Sequence, residues 1–131
     1  MQLEKILKTW QLNPAPPLGA LEIATALLQA PLPSDYVQFL QQHDGGEGFV
    51  GENYLVLWKS EELVQFNHDY ESDQYAPGLI LFGSDGGGEG YAFDSRTSPM
   101  SIVRVPLIGM DLLYAQFVAA RFDDLWSELA R

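Results

Sequence analysis

Apolar residues change their spacing along this chain near residue 50, and that change limits the folds open to it. Before residue 50 they recur three and four positions apart, as on one face of a helix. Two proline-rich stretches interrupt the pattern, because proline lacks the N–H and clashes with the preceding helical turn. The pattern therefore predicts three helices: one over residues 3–10, one over residues 19–29 and one that begins near Ser34.

The second half of the chain carries short runs of aliphatic and aromatic residues, which have the length of buried strands. These runs cover residues 54–58, 79–82, 91–93, 102–105 and 114–118. A fourth helix is predicted to begin near Ser60. A final helix closes the chain with one apolar face, formed by Phe122, Leu125, Trp126 and Leu129. Helices followed by strands at hairpin spacing predict an α+β fold with a mainly antiparallel sheet.

Acidic residues are concentrated in the middle third of the chain. The 131 residues are expected to form a single domain over residues 1–131, with 18 acids, 7 bases and a net charge of -11. Eleven of the acids lie between residues 44 and 94, where the one base is Lys59. Such a field repels phosphate groups, which argues against nucleic acid and anionic membranes as partners and favours a basic protein.

If these acids form a binding face, eight of them are the candidates for contact with a partner. They are Asp44, Glu47, Glu52, Asp69, Glu71, Asp73, Asp85 and Glu89. Electrostatic attraction across such a face speeds association and helps to select the partner. An acidic surface that serves only solubility would give the same composition, so that alternative stays open.

Three features of the sequence point to the cytoplasm. Cysteine is absent, which excludes disulfides and thiol chemistry and fits a reducing compartment. The N-terminal residues mix charge signs and lead into no long apolar segment, so no signal peptide is expected. No run of 18 apolar residues is present to span a membrane.

Glycine-rich segments, two histidines and one serine are the candidates for chemistry, and none has the required context. Residues 46–51 match G-x-G-x-x-G, but a phosphate cradle follows a strand and opens a helix, whereas this stretch follows a helix. The loop over residues 83–90 offers two carboxylates, which leaves a weak cation site as a minor alternative. His43 and His68 lack metal-ligand spacing, and Ser84 lies outside a G-x-S-x-G motif. We therefore predict no catalytic residue, no bound metal and no cofactor.

A series of ordered landmarks resembles the SUKH superfamily, a group of bacterial immunity proteins that also includes a yeast cell-wall synthesis regulator. The landmarks are residues 32–36, 39–48, 57–63, 77–89, 91–94 and 122–125. Together they extend the resemblance over about residues 19–130. Residues 1–18, with the first helix and its proline-rich connection, match less sharply.

This resemblance implies a curved, mainly antiparallel sheet with flanking helices and no active site. It implies structural roles for seven motif residues, which are Pro33, Gly45, Gly46, Trp58, Gly83, Asp85 and Gly88. Many bacterial members look like antidotes that bind and neutralise toxins, often nucleases or deaminases with basic grooves. The expected function is therefore an immunity protein that binds a basic toxin domain. The alternative is a regulatory scaffold that binds cellular enzymes, with no toxin involved.

Overall fold

The computed structural model describes residues 3–131, and this part of the chain forms six helices and seven strands. The helices are α1 (Leu3–Leu7), α2 (Ala20–Leu28), α3 (Ser34–Gln42), α4 (Ser60–Asp69), α5 (Ser72–Tyr75) and α6 (Phe122–Leu129). The strands are β1 (Gln11–Leu12), β2 (Gly46–Val50), β3 (Asn53–Leu57), β4 (Leu79–Ser84), β5 (Glu89–Asp94), β6 (Ser101–Pro106) and β7 (Gln116–Ala119). The predicted α+β class is confirmed.

All seven strands form one sheet in which each strand pairs with its neighbour in chain order, and every pair is antiparallel. The turns and loops that join β2 to β3, β4 to β5 and β6 to β7 must therefore lie at the same end of the sheet. We call this the hairpin end; it comprises residues 51–52, 85–88 and 107–115. The connections from β3 to β4 and from β5 to β6 lie at the opposite end.

Two irregularities bend the sheet, as the resemblance implied. The register between β4 and β5 shifts between Leu81 and Gly83, and the register between β6 and β7 shifts between Ile102 and Val103. An extra residue of this kind increases the local twist and bends the bulged strand. The sheet is curved, and it does not close into a barrel because β1 and β7 remain its two edges.

An aromatic cluster joins the sheet to α3 and α6. The rings of Phe82 on β4 and Phe93 on β5 stack with centroids 4.3 Å apart, and Tyr36 of α3 packs edge-on to Phe93 at 4.9 Å. Phe122 and Trp126 of α6 extend the cluster, with a centroid distance of 5.8 Å. All five side chains are almost fully buried. Burial of large aromatic side chains is a dominant apolar contribution to stability, so this cluster is the centre of the core.

The N-terminal segment packs on the domain although its first helix is shorter than predicted. The predicted helix over residues 3–10 ends at Leu7, yet Trp10 is buried and its indole N–H donates to the Phe49 carbonyl at 3.0 Å. The two residues of β1 then pair with β2, which the sequence did not predict. Met1 and Gln2 lie outside the described residues, and a single domain over residues 1–131 stays a prediction.

Asn67 of α4 completes the edge of β4 where β3 leaves it. The ladder between β3 and β4 covers two residue pairs, which leaves the backbone of Leu81 without a strand partner on that side. The Asn67 amide nitrogen donates to the Leu81 carbonyl at 2.9 Å, and its oxygen accepts the Leu81 N–H at 2.9 Å. The same oxygen accepts the Ser72 hydroxyl at 2.9 Å. One buried side chain thus replaces a strand and anchors α4 and α5 to the sheet.

We expect Asn67→Ala to lower the free energy of unfolding by about 2 kcal/mol, because it leaves two buried backbone groups of Leu81 without partners. Urea denaturation measures this change. Gln65→Ala, on the same helix, is the matched control, since Gln65 is exposed and bonds to an exposed Asp69. Equal stabilities of the two variants would contradict the anchoring role of Asn67.

Asp35 stabilises the first turns of two helices at once. One of its carboxylate oxygens accepts the Tyr36 N–H of α3 at 2.9 Å, and the other accepts the Asp123 N–H of α6 at 3.0 Å. A carboxylate at these positions satisfies free N–H groups and interacts favourably with both helix dipoles. The landmark at residues 32–36 therefore connects α3 to α6 across 88 positions of sequence.

Asp35→Ala is expected to lower the free energy of unfolding by about 1 kcal/mol, the usual cost of a lost helix cap. Chemical denaturation at neutral pH is the measurement. Glu52→Ala is the control, because Glu52 is exposed in the β2–β3 turn and lies in no helix. The capping role would be refuted by an Asp35→Ala variant that is as stable as the parent chain.

Candidate protein-binding surface

Four of the seven motif residues have contacts that explain their identity. A Cβ at Gly45 would overlap the Leu57 carbonyl oxygen, and Gly45 also has a φ of 80° that glycine tolerates best. A Cβ at Gly46 would lie 2.6 Å from the Gln11 carbonyl oxygen of β1. At Gly83 it would overlap the Val56 carbonyl oxygen of β3. The Trp58 ring is buried against Phe66, with centroids 4.7 Å apart.

Of the remaining three motif residues, Pro33 and Asp85 shape the backbone, whereas Gly88 has open space around it. Pro33 directly precedes α3 with a φ of -57°, the angle that its ring imposes. The Asp85 carboxylate accepts the N–H groups of Gly87 at 2.8 Å and Glu89 at 3.2 Å, so it holds the β4–β5 loop in shape. Gly88 differs from the other glycines, because a Cβ there would have no neighbour within 4 Å.

Asp44, the first of the eight candidate acids, is buried, with 7% of its surface exposed. One carboxylate oxygen accepts the Ser60 N–H at 2.7 Å, at the first residue of α4. Its charge also opposes ionisation of the neighbouring Tyr36, whose pKa is raised chiefly by burial. The carboxylate of Asp44 is therefore committed to the start of α4.

Glu47 and Glu52 lie on the β2–β3 hairpin with exposed side chains. Glu52 is part of the turn between the two strands, at the hairpin end. The Glu47 carboxylate accepts the Tyr54 hydroxyl at 2.6 Å, and this bond is the main reason why the pKa of that phenol is raised. The Tyr54 ring lies next to Gly86, since a Cβ at Gly86 would be 3.1 Å from it. Tyr54 therefore connects Glu47 with the β4–β5 loop.

Asp85 and Glu89 flank that same loop, and Glu89 continues the surface toward β7. The Glu89 carboxylate is 3.8 Å from the Arg104 guanidinium, which also donates to the Gln116 side chain at 3.1 Å. Both members of the Arg104–Glu89 pair are about two-fifths exposed, so solvent screens their attraction. Neighbouring contacts thus run from Glu47 through the β4–β5 loop to the first residue of β7.

The other three candidate acids lie around α4 and α5. Asp69 lines a cleft together with Tyr70, Tyr75 and residues 107–110, so it borders the hairpin end. Asp73 lines a different cleft with residues that include Gly78, at the opposite end of the sheet. Glu71 is exposed in the turn between α4 and α5. The structure therefore divides the eight candidates. Contacts connect Glu47, Asp85 and Glu89. Glu52 lies at the same end of the sheet, in a turn whose neighbouring residues contact the end of α6, and Asp69 borders that end.

Exposed apolar side chains accompany these acids, and the sequence analysis did not identify them as a surface. Ile108 is 84% exposed and Phe117 is 69% exposed, and Leu113 and Tyr114 between them are also exposed. Residues 108, 113 and 114 belong to the β6–β7 connection at the hairpin end. A cluster of exposed apolar residues is typical of a site that contacts another protein. The sequence did carry a signal for this surface. Several apolar residues lie close together in a segment that contains Gly109, and their spacing is neither that of a helix nor that of a strand.

Ser84 and His68 are two of the side chains considered above for catalysis. The Ser84 hydroxyl accepts the Gly86 N–H at 3.2 Å, and His68 is exposed on α4. Within residues 3–131, no group of three or more His, Asp or Glu side chains is arranged to hold a metal ion. Asp94, the last acid of the middle third, pairs with Arg96 at 2.9 Å, and this guanidinium holds the pKa of the carboxyl below its usual value.

A sequence model of the SMI1 / KNR4 family (SUKH-1) matches residues 17–128. Because the match extends over most of the 131 residues, the chain belongs to this family. Membership confirms the predicted resemblance, and it is consistent with a protein-binding module. A search among curated proteins found no match. Among the helices of residues 3–131, none combines the length and the apolar character needed to cross a membrane.

Proposed function

We propose that this chain is an immunity-type protein that binds and neutralises a basic toxin domain, and that it performs no catalysis. The observation that carries the proposal is the grouping of Glu47, Glu52, Asp85 and Glu89 at or next to the hairpin end. Of these four, Glu89 pairs with Arg104, and that pair is partly exposed to solvent. The family supports a binding role of this kind.

Electrostatics gives this surface a role in association. A chain with a net charge of -11 attracts cationic domains at long range, and the acids at the hairpin end direct that attraction to one place. Nuclease and deaminase toxins expose basic grooves that hold nucleic acid. A rigid acidic loop competes for such a groove, and Asp85 supplies the rigidity through its two bonds to the loop backbone.

The exposed apolar residues provide affinity that charge alone does not. Ile108, Leu113, Tyr114 and Phe117 offer aliphatic and aromatic area that becomes buried on contact. Protein interfaces combine an apolar, often aromatic, centre with a polar and charged rim, and aromatic residues carry much of the binding energy. Acids around apolar side chains at one end of the sheet fit that arrangement.

The proposal is tested by recovering the partner from the native host. The chain is immobilised and incubated with host lysate at about 50 mM and about 500 mM salt, because charge attraction weakens as salt rises. Retained proteins are identified by mass spectrometry, and the principal one is assayed for nuclease or deaminase activity with and without the chain. We expect a basic domain that is retained at low salt, weakened at high salt and inhibited at equimolar chain.

Two results would contradict the proposal that the chain neutralises a toxin. Recovery of cellular enzymes whose activity the chain modulates would establish the regulatory scaffold instead. Retention of a basic protein whose activity is unchanged at saturating chain would show binding without neutralisation, and the immunity function would be wrong.

A further inference from the structure

Helix α2 is apolar on the side that faces solvent as well as on the side that faces the core. Apart from Glu22 and Thr25, its nine residues are alanine, leucine and isoleucine. Leu21 and Ala24 are buried, whereas Ile23 and Leu27, one helical turn apart, are each 62% exposed. Leu18, just before the helix, is fully exposed. Glu22 is the one charged side chain on the solvent side of the helix, and the exposed apolar side chains around it form a surface of the kind that normally contacts another molecule.

The charge distribution indicates what covers this face. From residue 9 to residue 34 the sequence contains one charged residue, Glu22, although the whole chain carries a net charge of -11. A basic partner gains less electrostatic energy here than at the hairpin end, because α2 carries one acid and the acids in the clefts beside it, Asp73 and Glu61, are accompanied by His68 and Lys59. Two copies of this acidic chain repel each other, and that repulsion is smaller where α2 meets α2 than where two hairpin ends meet. The solvent face of α2 is therefore suited to a second copy of the chain.

We propose that α2 is a self-association surface through which two copies form a symmetric dimer. A two-fold axis across α2 brings the Ile23 and Leu27 side chains of one copy against those of the other. Ala26, which is also exposed, lets the two helix backbones approach closely. The area of a two-turn helix is small, so the dimer forms in a reversible, concentration-dependent equilibrium.

The dimer surface and the acidic surface lie at different ends of the molecule. Leu27 and Leu28 line a cleft with Gly78 and Ser95, which lie next to the ends of β4 and β5 opposite the hairpin end. Association through α2 therefore leaves the hairpin end of each copy free. The inference does not rest on the proposed function, because a dimer forms whether or not the partner is a toxin.

Sedimentation velocity on the purified chain tests the proposal over a series from about 1 μM to about 1 mM. We expect the average mass to rise from 14.6 kDa toward twice that value, and to rise at least as far at high salt, which screens the repulsion between copies. Ile23→Glu with Leu27→Glu should keep the chain monomeric at the highest concentration. Ile23→Gln with Leu27→Gln, which removes apolar area without adding charge, should weaken association at least tenfold.

Ile108→Glu with Leu113→Glu is the matched control, because it places the same charges on an exposed apolar pair at the hairpin end. This control should dimerise like the parent chain. A monomer at about 1 mM, or a dimer that both α2 variants leave intact, would overturn the proposal. Dissociation of the control but not of the α2 variants would also overturn it and would place self-association at the hairpin end. Circular dichroism checks that each variant is folded.

Discussion

Gly83→Ala is expected to lower the free energy of unfolding by about 3 kcal/mol or more, a large part of the stability of a domain of this size. The added Cβ would overlap the Val56 carbonyl oxygen of β3. That oxygen belongs to the backbone of a paired strand, so no rotamer change relieves the overlap. The β3–β4 ladder must open instead, and it is only two residue pairs long. Urea denaturation followed by circular dichroism measures the loss.

Gly88→Ala is the matched control, since it makes the same chemical change in the same glycine-rich segment. A Cβ at Gly88 meets nothing within 4 Å, and its φ is not in the left-handed region. We expect a change within about 0.5 kcal/mol. The comparison separates two roles within the glycine-rich segment. Gly83 is needed for the pairing of β3 with β4, whereas Gly88 lies in a loop with space for a side chain. Similar losses in both variants would refute this division.

Local patterns in the sequence predicted most of the elements correctly. Strands that are flanked by turn residues and rich in aliphatic or aromatic side chains, such as β4 and β6, lie close to where their runs placed them. The apolar face of α6 is buried as its spacing predicted. The weaker predictions concern short elements. The first predicted strand began at residue 54, but residues 46–50 already form β2, whose glycines are required by close contacts with Trp10 and Gln11.

Contacts between distant residues explain what the sequence alone could not provide. Strand β1 has two residues and no pattern of its own, and it exists because β2 offers a free edge. Helix α5 has four residues and is fixed by the Ser72 bond to Asn67. The predicted strand over 114–118 begins only at residue 116, because Asp111 starts a 3-10 turn by accepting the Leu113 N–H at 2.9 Å. Such contacts depend on tertiary structure rather than on local propensity.

The acidic residues of the candidate site also could not be grouped from the sequence alone. Their concentration in the middle third was evident from composition, but composition does not say which of them face the same way. Asp44 stands next to Gly45, a sequence context typical of an exposed loop. Its carboxylate is nevertheless buried at the start of α4. Glu47 and Glu89 are 42 positions apart in sequence, and the Tyr54 ring and the β4–β5 loop connect them. Sheet register creates this surface, and register is a long-range property.

Two variants with equal net charge show whether the recovered toxin domain binds at the hairpin end. Glu47→Lys with Glu52→Lys changes the hairpin end, and Glu71→Lys with Asp73→Lys changes the surface around α5. Each pair raises the net charge by four, from -11 to -7. All four side chains are exposed, and Asp85 is left in place because it shapes the loop. Isothermal titration calorimetry at low and high salt gives the dissociation constants.

We expect the hairpin-end pair to weaken binding about 100-fold at low salt, because lysines then face a basic surface. That loss should shrink at high salt. The α5 pair should change the affinity by no more than about threefold. Its lysines lie away from the hairpin end, so only the change in net charge affects the partner. Equal losses in the two pairs would mean that overall charge, and no defined surface, attracts the partner. A loss confined to the α5 pair would rule out the hairpin end and place the binding surface at α4 and α5.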